Sequence, residues 1–258
     1  MKVVLLCGGQ GARWRSQDQP GPKALARVGG QPILWHVMGI YSAAGFRDFV
    51  LCLGHQGDHI SEHMRSRSRG ADPEGALLVE AAPGISWRVR CVDTGAGTLT
   101  AGRIRRVLPL LGGEPFLASY GDGVADLDVG RLLDFHRRHG RLATLTAVRP
   151  RSQFGILDLS PGREVRSFLE KPRLADWVNG GFFVFEPGAA DYLDEGPLEE
   201  RPLAGLAAAR QLMAFQTEAF WACLDTYKDM VALNELCRDG QPPWRGHHER
   251  LDELEVAT

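Results

Sequence analysis

Short apolar runs and amphipathic stretches alternate along the first half of the chain. Val3-Val4-Leu5-Leu6-Cys7 is apolar at every position and stops at a glycine pair, the pattern of a strand buried on both faces of a parallel sheet. A helical pattern runs from Pro32 to Ala44, and Gly45 closes it. Phe49 to Leu53 is a second buried strand ending at Gly54, and His59 to Arg69 reads as a polar helix. The stretch from Gly70 to Pro83, rich in Gly, Ala and Pro, reads as a surface excursion. Arg88 to Val92 predicts a strand, Gly102 to Leu111 a helix, and Phe116 to Tyr120 a buried strand that stops at Gly121-Asp122-Gly123. Asp128 to His139 is amphipathic, with Leu132, Leu133 and Phe135 inward, and Ala143 to Val148 is the next strand. This alternation predicts an α/β fold of right-handed βαβ units, with a mostly parallel sheet flanked by helices.

Beyond Pro150 the period changes. Ile156 to Leu159 and Val165 to Phe168 alternate as antiparallel strands do, and Phe182 to Phe185 is a further strand closed by Pro187-Gly188. A smaller β-rich lobe laid on the first half is expected, with no linker composition between them. One domain over residues 1–246 follows, its halves meeting near residue 150, with a polar tail over residues 247–258.

The 258 residues suffice for a substantial core. A formal net charge of -2 gives no basic field for nucleic acid or an anionic membrane, so neither is expected as a partner. A phosphate ligand must then be met by local groups. Cys7, Cys52, Cys91, Cys223 and Cys237 are scattered, without CxxC pairs, which points to reduced thiols in a cytoplasmic protein. The apolar run at the start is too short for a signal sequence, and no stretch reaches transmembrane length.

The most informative stretch is Gly8-Gly9-Gln10-Gly11-Ala12-Arg13, directly after the first strand. Three glycines in four positions let the backbone turn sharply and bring bare N–H groups to an anion. The spacing is neither G-x-G-x-x-G nor a Walker A loop, which sets aside a dinucleotide-dependent oxidoreductase. Arg13 and Lys23 carry charge that a folded-back loop would bring to one triphosphate; read alone, they are equally well solvated loop cations. Asp122 ends a buried strand at the same sheet edge as the glycines, where a carboxylate holds Mg²⁺ against bound phosphates. As an isolated Asp-Gly pair it would be a turn former.

These residues, together with Pro22-Lys23, Val28-Gly29-Gly30-Gln31-Pro32, the string from Tyr120 to Asp128, Glu170-Lys171-Pro172 and Asn179-Gly180-Gly181-Phe182-Phe183, resemble the sugar-1-phosphate nucleotidyltransferases. Within that family, Asp93-Thr94-Gly95 followed by Thr100-Ala101-Gly102-Arg103, the string from Gly121 to Asp128 and Asn179 to Phe183 are most similar to the glucose-1-phosphate cytidylyltransferase branch, and the resemblance runs from Met1 to about Trp244. It implies a Rossmann-like fold with a sugar-binding second half, and Mg²⁺-dependent transfer of a nucleoside monophosphate from an NTP, here CTP, to a sugar 1-phosphate, here glucose 1-phosphate. It also implies a homo-oligomer. By resemblance, Leu6, Gly8, Gly9 and Gly11 cradle the nucleotide, Arg13 and Lys23 hold its phosphates, and Thr98 and Arg103 contact it further. Asp122 and Asp225 would ligate Mg²⁺, with Asp122 also at the nucleotide. Gly155, Glu170, Lys171, Asn179 and Gly180 would bind the sugar phosphate, with Arg13, Lys23 and Lys171 catalytic.

The family's Gly-Thr-Arg-Leu is here Gly11-Ala12-Arg13-Trp14, and its Lys-Pro-Lys-Pro is Gly21-Pro22-Lys23-Ala24. A hydroxyl and a charge are lost, which bears on nucleotide preference and rate. Another NTP or phosphorylated acceptor, and a catalytically silent nucleotide-sugar-binding homologue, are the competing functions. The joint presence of Arg13, Lys23, Asp122, Lys171 and Asp225 argues against silence. Taken alone, Glu170-Lys171-Pro172 reads as a surface turn and Asn179-Gly180 as a hairpin turn. His36 reads as a packed structural histidine, and His136, Arg137, Arg138 and His139 as a solvated helix face.

Overall fold

The computed structural model describes residues 1–9 and 21–244. Strand β1 (Val3–Leu6) is followed by a small hairpin, β2 (Arg27–Val28) and β3 (Gln31–Pro32), and by helix α1 (Ile33–Ala43). Next come β4 (Asp48–Leu53), α2 (Gly57–Ser66), β5 (Ser68–Ala71), β6 (Leu77–Ala82), β7 (Ile85–Asp93) and α3 (Thr100–Val107). The chain continues with β8 (Phe116–Tyr120), β9 (Gly123–Ala125), α4 (Val129–His139) and β10 (Ala143–Val148). Its second half supplies β11 (Ile156–Leu159), β12 (Val165–Leu169), β13 (Val178–Phe185), α5 (Arg201–Ala208), β14 (Leu212–Thr217), β15 (Trp221–Cys223) and α6 (Tyr227–Leu236).

Nine strands form one mixed sheet in the order β14-β10-β13-β8-β1-β4-β7-β6-β5. Its centre, β8-β1-β4-β7, is parallel, and antiparallel pairings extend it at both ends. The uninterrupted apolar runs are explained by burial on both faces. Val3 and Leu5 of β1 join one core with Met38 of α1, Ile60 of α2, Leu132 of α4 and Met230 of α6. Val4 and Leu6 join the other, with Ile104 of α3 and Leu206 of α5. Burying each such side chain contributes about 1.5–3 kcal/mol, and Leu5→Ala is expected to cost about 2–5 kcal/mol. Among the described residues no helix is long and apolar enough to cross a membrane.

Two expectations are corrected. The stretch expected to be a surface excursion supplies the end of β5 and the whole of β6, which extend the main sheet because β6 pairs antiparallel with β7 and β5 with β6. Of the second half, β13 inserts between β10 and β8, β14 flanks β10, and the β11–β12 hairpin forms a small sheet of its own with every strand residue exposed. His136 does not belong to a solvated face. It is 2% exposed, with Nδ1 2.8 Å from Thr144 Oγ1 and Nε2 3.2 Å from Glu186 Oε1, because the last turn of α4 presses onto β10. Arg137 and Arg138 remain exposed. His36 is the packed residue expected, its Nε2 2.8 Å from the Val28 carbonyl. The polar tail lies outside the described residues.

Candidate functional site

β1 and β8 are parallel neighbours in equal register, Leu6 opposite Tyr120, so the segments that follow them emerge side by side. Gly121 N–H donates to the Leu6 carbonyl at 3.1 Å, setting Gly121-Asp122 beside Cys7-Gly8-Gly9. β9 then pairs antiparallel with β15, Gly123 opposite Cys223, and Leu224 N–H donates to the Asp122 carbonyl at 2.9 Å. That ladder carries Asp225, remote in sequence, to Asp122. A capping box between Thr226 and Asp229 starts α6, and Asp229 Oδ2 also accepts from Asp225 N–H at 3.1 Å, so the backbone under Asp225 is held.

Lys23 completes the cluster. It opens a short 3₁₀ turn, and its Nζ lies 2.6 Å from Asp122 Oδ2 and 2.9 Å from Asp225 Oδ1. Burial disfavours its ammonium, but Asp122 and Asp225 outweigh burial and push its pKa up, so it stays charged. Two carboxylates against one ammonium leave the cluster with a negative charge. One oxygen of each carboxylate and Cys223 Sγ lie within 4.8 Å of one another. Hard carboxylate oxygens at this separation suit a cation such as Mg²⁺. Burial first, and then the two carboxylates, push the Cys223 thiol up, which keeps it protonated.

A cavity of about 290 Å³ opens above the cluster, lined by Leu6, Gly8, Gly9, Lys23, Thr98, Arg103 and Asp122 among others. A second cavity of equal size lies among Trp35, His36, Trp87 and Trp244, and its lining holds no Lys, Arg, Asp or Glu. Size does not separate the two cavities; among the described residues, cations able to meet a phosphate line the first and not the second.

Arg103 is 3% exposed and serves as a framework residue. Its Nη1 donates to the Leu53 carbonyl and Thr94 Oγ1, both at 2.7 Å, and its Nη2 donates to the Gly8 carbonyl at 2.8 Å. In a trans peptide the carbonyl and the following N–H point oppositely, so holding the Gly8 oxygen down turns the Gly9 N–H the other way. Thr98 is likewise engaged, its hydroxyl accepting from Arg106 Nη1 at 2.5 Å.

The remaining expected residues divide. Asn179 stands at the start of β13, its Oδ1 accepting from Gly181 N–H at 2.9 Å, so Asn179-Gly180 lies inside a strand and is no hairpin turn. Gly180 is packed against Val148, and its carbonyl accepts from Trp221 Nε1 at 2.8 Å. Glu170 and Lys171 end the exposed hairpin and pair with each other at 3.2 Å, while Gly155 lies against the Phe168 ring and Glu170. Neither these three nor Asn179 and Gly180 line the cavity that holds Lys23. Gly11 and Arg13 lie outside the described residues. Tyr120, Thr100 and Glu199 line the cavity and were not singled out from the sequence. The end of the strand at Tyr120, and the stretches from Tyr120 to Asp128 and from Thr100 to Arg103 that carry the resemblance, signalled two of them, and nothing signalled Glu199.

A nucleotidyl transferase family model matches residues 2–234. The chain belongs to the nucleotidyl transferase family. A glucose-1-phosphate cytidylyltransferase of Salmonella typhi is 41% identical to this nucleotidyltransferase over 255 residues, covering 95% of this chain and 99% of that one. A mannose-1-phosphate guanyltransferase beta-B of Xenopus laevis is 26% identical over 259 residues, covering 97% of this chain and 68% of that one. In fold, HddC from Yersinia pseudotuberculosis superposes with a TM-score of 0.67 at 20% identity, covering 91% of this chain and 98% of that one.

Proposed function

We propose that this enzyme transfers a cytidylyl group from CTP to glucose 1-phosphate, giving CDP-glucose and pyrophosphate. The observation that carries the reading is the meeting of Lys23, Asp122 and Asp225 beside Gly8 and Gly9, at the carboxyl ends of parallel strands. Identity of 41% to a cytidylyltransferase against 26% to a guanyltransferase supports CTP over GTP.

The acceptor phosphate is already a nucleophile at neutral pH. One of its oxygens attacks the α-phosphorus in line, a P–O bond forms, and the bond to the β-phosphate breaks as pyrophosphate leaves. The protein has to bring two anions together and neutralise the charge that gathers between them. Lys23, Arg103 and the Gly8-Gly9 backbone face the nucleotide in this reading, with Thr98 and Leu6 beside it. Asp122 and Asp225 would hold Mg²⁺, which when bound there would offset charge on the phosphate oxygens. Arg13 and Gly11 join the nucleotide side, and Gly155, Glu170, Lys171, Asn179 and Gly180 the sugar side, from the resemblance. The sugar-binding half is assigned to residues 151–246 on the same ground. The exposed apolar hairpin, with Phe154 76% and Phe168 61% exposed, supports a homo-oligomer in which a second copy covers it. A cytoplasmic location suits nucleotide substrates.

The test is a matrix of four NTPs against several sugar 1-phosphates, read as pyrophosphate release. CTP with glucose 1-phosphate should give the highest kcat/KM. Release from no pair at all would remove the assignment, and a better NTP or sugar would relocate it within the family.

A further inference from the structure

Part of the cavity wall is made by three side chains that the reading above leaves without a role. Glu199 stands just before α5 and lines the cavity together with Tyr120 and Thr100. The Tyr120 hydroxyl donates to Glu199 Oε1, and Thr100 Oγ1 donates to Oε2 at 3.0 Å. Both donors are themselves fixed. Leu198 N–H donates to Thr100 Oγ1 at 2.7 Å. The Tyr120 ring meets Phe183 edge-on and lies over Gly181, whose φ is +80°; a Cβ there would stand 2.5 Å from the ring. Burial first, and then the bond to Glu199, push the Tyr120 phenol up, which keeps it a donor.

A carboxylate offers about four acceptor positions. Tyr120 and Thr100 take two, one on each oxygen, and the rest remain for a ligand in the cavity. Of the substrates' groups, a phosphate is disfavoured there, because a carboxylate repels the anions that Lys23 attracts, and a neutral hydrogen-bond donor fits. Three donors of this kind come with the substrates: hydroxyl groups of the sugar, the ribose hydroxyls of CTP and the exocyclic amine of cytosine. The position of Tyr120 favours the sugar, since Asn179 Nδ2 lies 3.5 Å from its hydroxyl and Asn179 belongs to the sugar side. We propose that Glu199 is a specificity-determining residue that accepts hydrogen bonds from hydroxyl groups of the acceptor sugar, with Tyr120 and Thr100 as its positioning residues. The inference rests on the sugar 1-phosphate reading of the site.

The experiment compares the wild type with E199A, E199Q and Y120F, using CTP with glucose 1-phosphate and with its 2-, 3-, 4- and 6-deoxy analogues, and UTP in place of CTP. Thermal melting checks that each variant is folded. A hydrogen bond to a charged group sets the scale, so the wild type should lose about ten- to a hundredfold in kcat/KM when the recognised hydroxyl is removed. E199A should lose a similar factor with glucose 1-phosphate and then show no further loss with that one analogue. The other analogues should keep their wild-type penalties, the CTP-to-UTP ratio should not move, and E199Q and Y120F should fall between. Equal penalties in wild type and E199A for every analogue would overturn the proposal. A collapse of the CTP preference instead would place Glu199 at the base and overturn it too. Wild type that releases no pyrophosphate from any pair would remove the underlying reading, a result visible before any variant is made.

Discussion

Replacing Gly8 by alanine puts a methyl group where the structure has no room for one. Its Cβ would lie 2.1 Å from Arg103 Nη1, 2.2 Å from Cζ and 2.7 Å from Nη2. The far end of an exposed arginine would swing aside at little expense. Here the guanidinium is also pressed against Gly54, where a Cβ would stand 2.5 Å from Nη1, and it donates three hydrogen bonds. Each such bond is worth roughly 1.5–3 kcal/mol, and partial relaxation recovers some of it, so Gly8→Ala should cost about 3–5 kcal/mol. Arg103→Ala should cost less, about 2–4 kcal/mol, because its acceptors keep other donors. The Leu53 carbonyl still accepts from Thr94 N–H at 2.9 Å and the Gly8 carbonyl from His55 N–H at 3.3 Å.

With Arg103 already truncated, the new methyl meets open space and should add less than about 1 kcal/mol. The double mutant is then markedly less destabilised than the sum of the single mutants. Urea unfolding followed by tryptophan fluorescence reads all four corners of this cycle. Gly9→Ala is the control, since nothing among the described residues lies within 4 Å of a Cβ there. Additivity of the two substitutions within about 0.5 kcal/mol would refute the claim that Arg103 clamps the Gly8 peptide.

Lys23→Ala should lower kcat roughly a hundredfold with the fold retained, the loss typical of one donor to a developing anion, measured as pyrophosphate release beside a circular dichroism spectrum. The same variant leaves Asp122 and Asp225 facing each other without their ammonium, so added Mg²⁺ should raise its Tm by more than it raises that of the wild type. Chelation with EDTA should abolish turnover and Mg²⁺ restore it, with Asp225→Asn needing more Mg²⁺ for half-maximal rate. Burial lowers the pKa of His36, His63, His136 and His139 in the folded chain, against Glu186 in the case of His136. The unfolded chain therefore binds the extra protons first, and stability present above about pH 6.5 should fall as the pH drops through that value towards the folded pKa values. Thermal melts from about pH 8 to about pH 5 measure the slope, which His136→Gln should flatten.

The strands β1, β4, β8 and β10 were legible almost to the residue because burial on both faces leaves unbroken apolar runs bounded by glycine or polar turns. The β5–β6 edge was not, because an edge strand with exposed Arg69 and Glu80 has the composition of a loop, and only pairing to β7 makes it a strand. The same division runs through the site. Gly8, Gly9 and Asp122 follow their strands directly, and chain order alone puts them at one sheet edge. Asp225 depends on the β9–β15 ladder, a contact between distant segments that leaves no local trace, so only resemblance pointed to it. Glu199 has neither advantage. It is one of two adjacent glutamates in an exposed, charged stretch, and nothing in Leu198-Glu199-Glu200 tells which carboxylate turns inward.

The structure separates them by one residue of phase. Thr100, anchored by Leu198 N–H, and Tyr120, pinned over Gly181, both donate to the carboxylate at position 199, while Glu200 begins the turn into α5. A sheet in which Leu6 and Tyr120 end level must release the glycine loop and the Tyr120-Asp122 segment at the same height. Groups that repel phosphate and groups that attract it then stand within one cavity. That arrangement suits a ligand with a charged end and a neutral hydroxylated end, because it rewards one orientation and penalises the reverse. A sugar 1-phosphate has those two ends, and free inorganic phosphate has only one. The wild-type cavity should therefore bind glucose 1-phosphate more tightly than inorganic phosphate, and E199A should narrow the gap by weakening only the former.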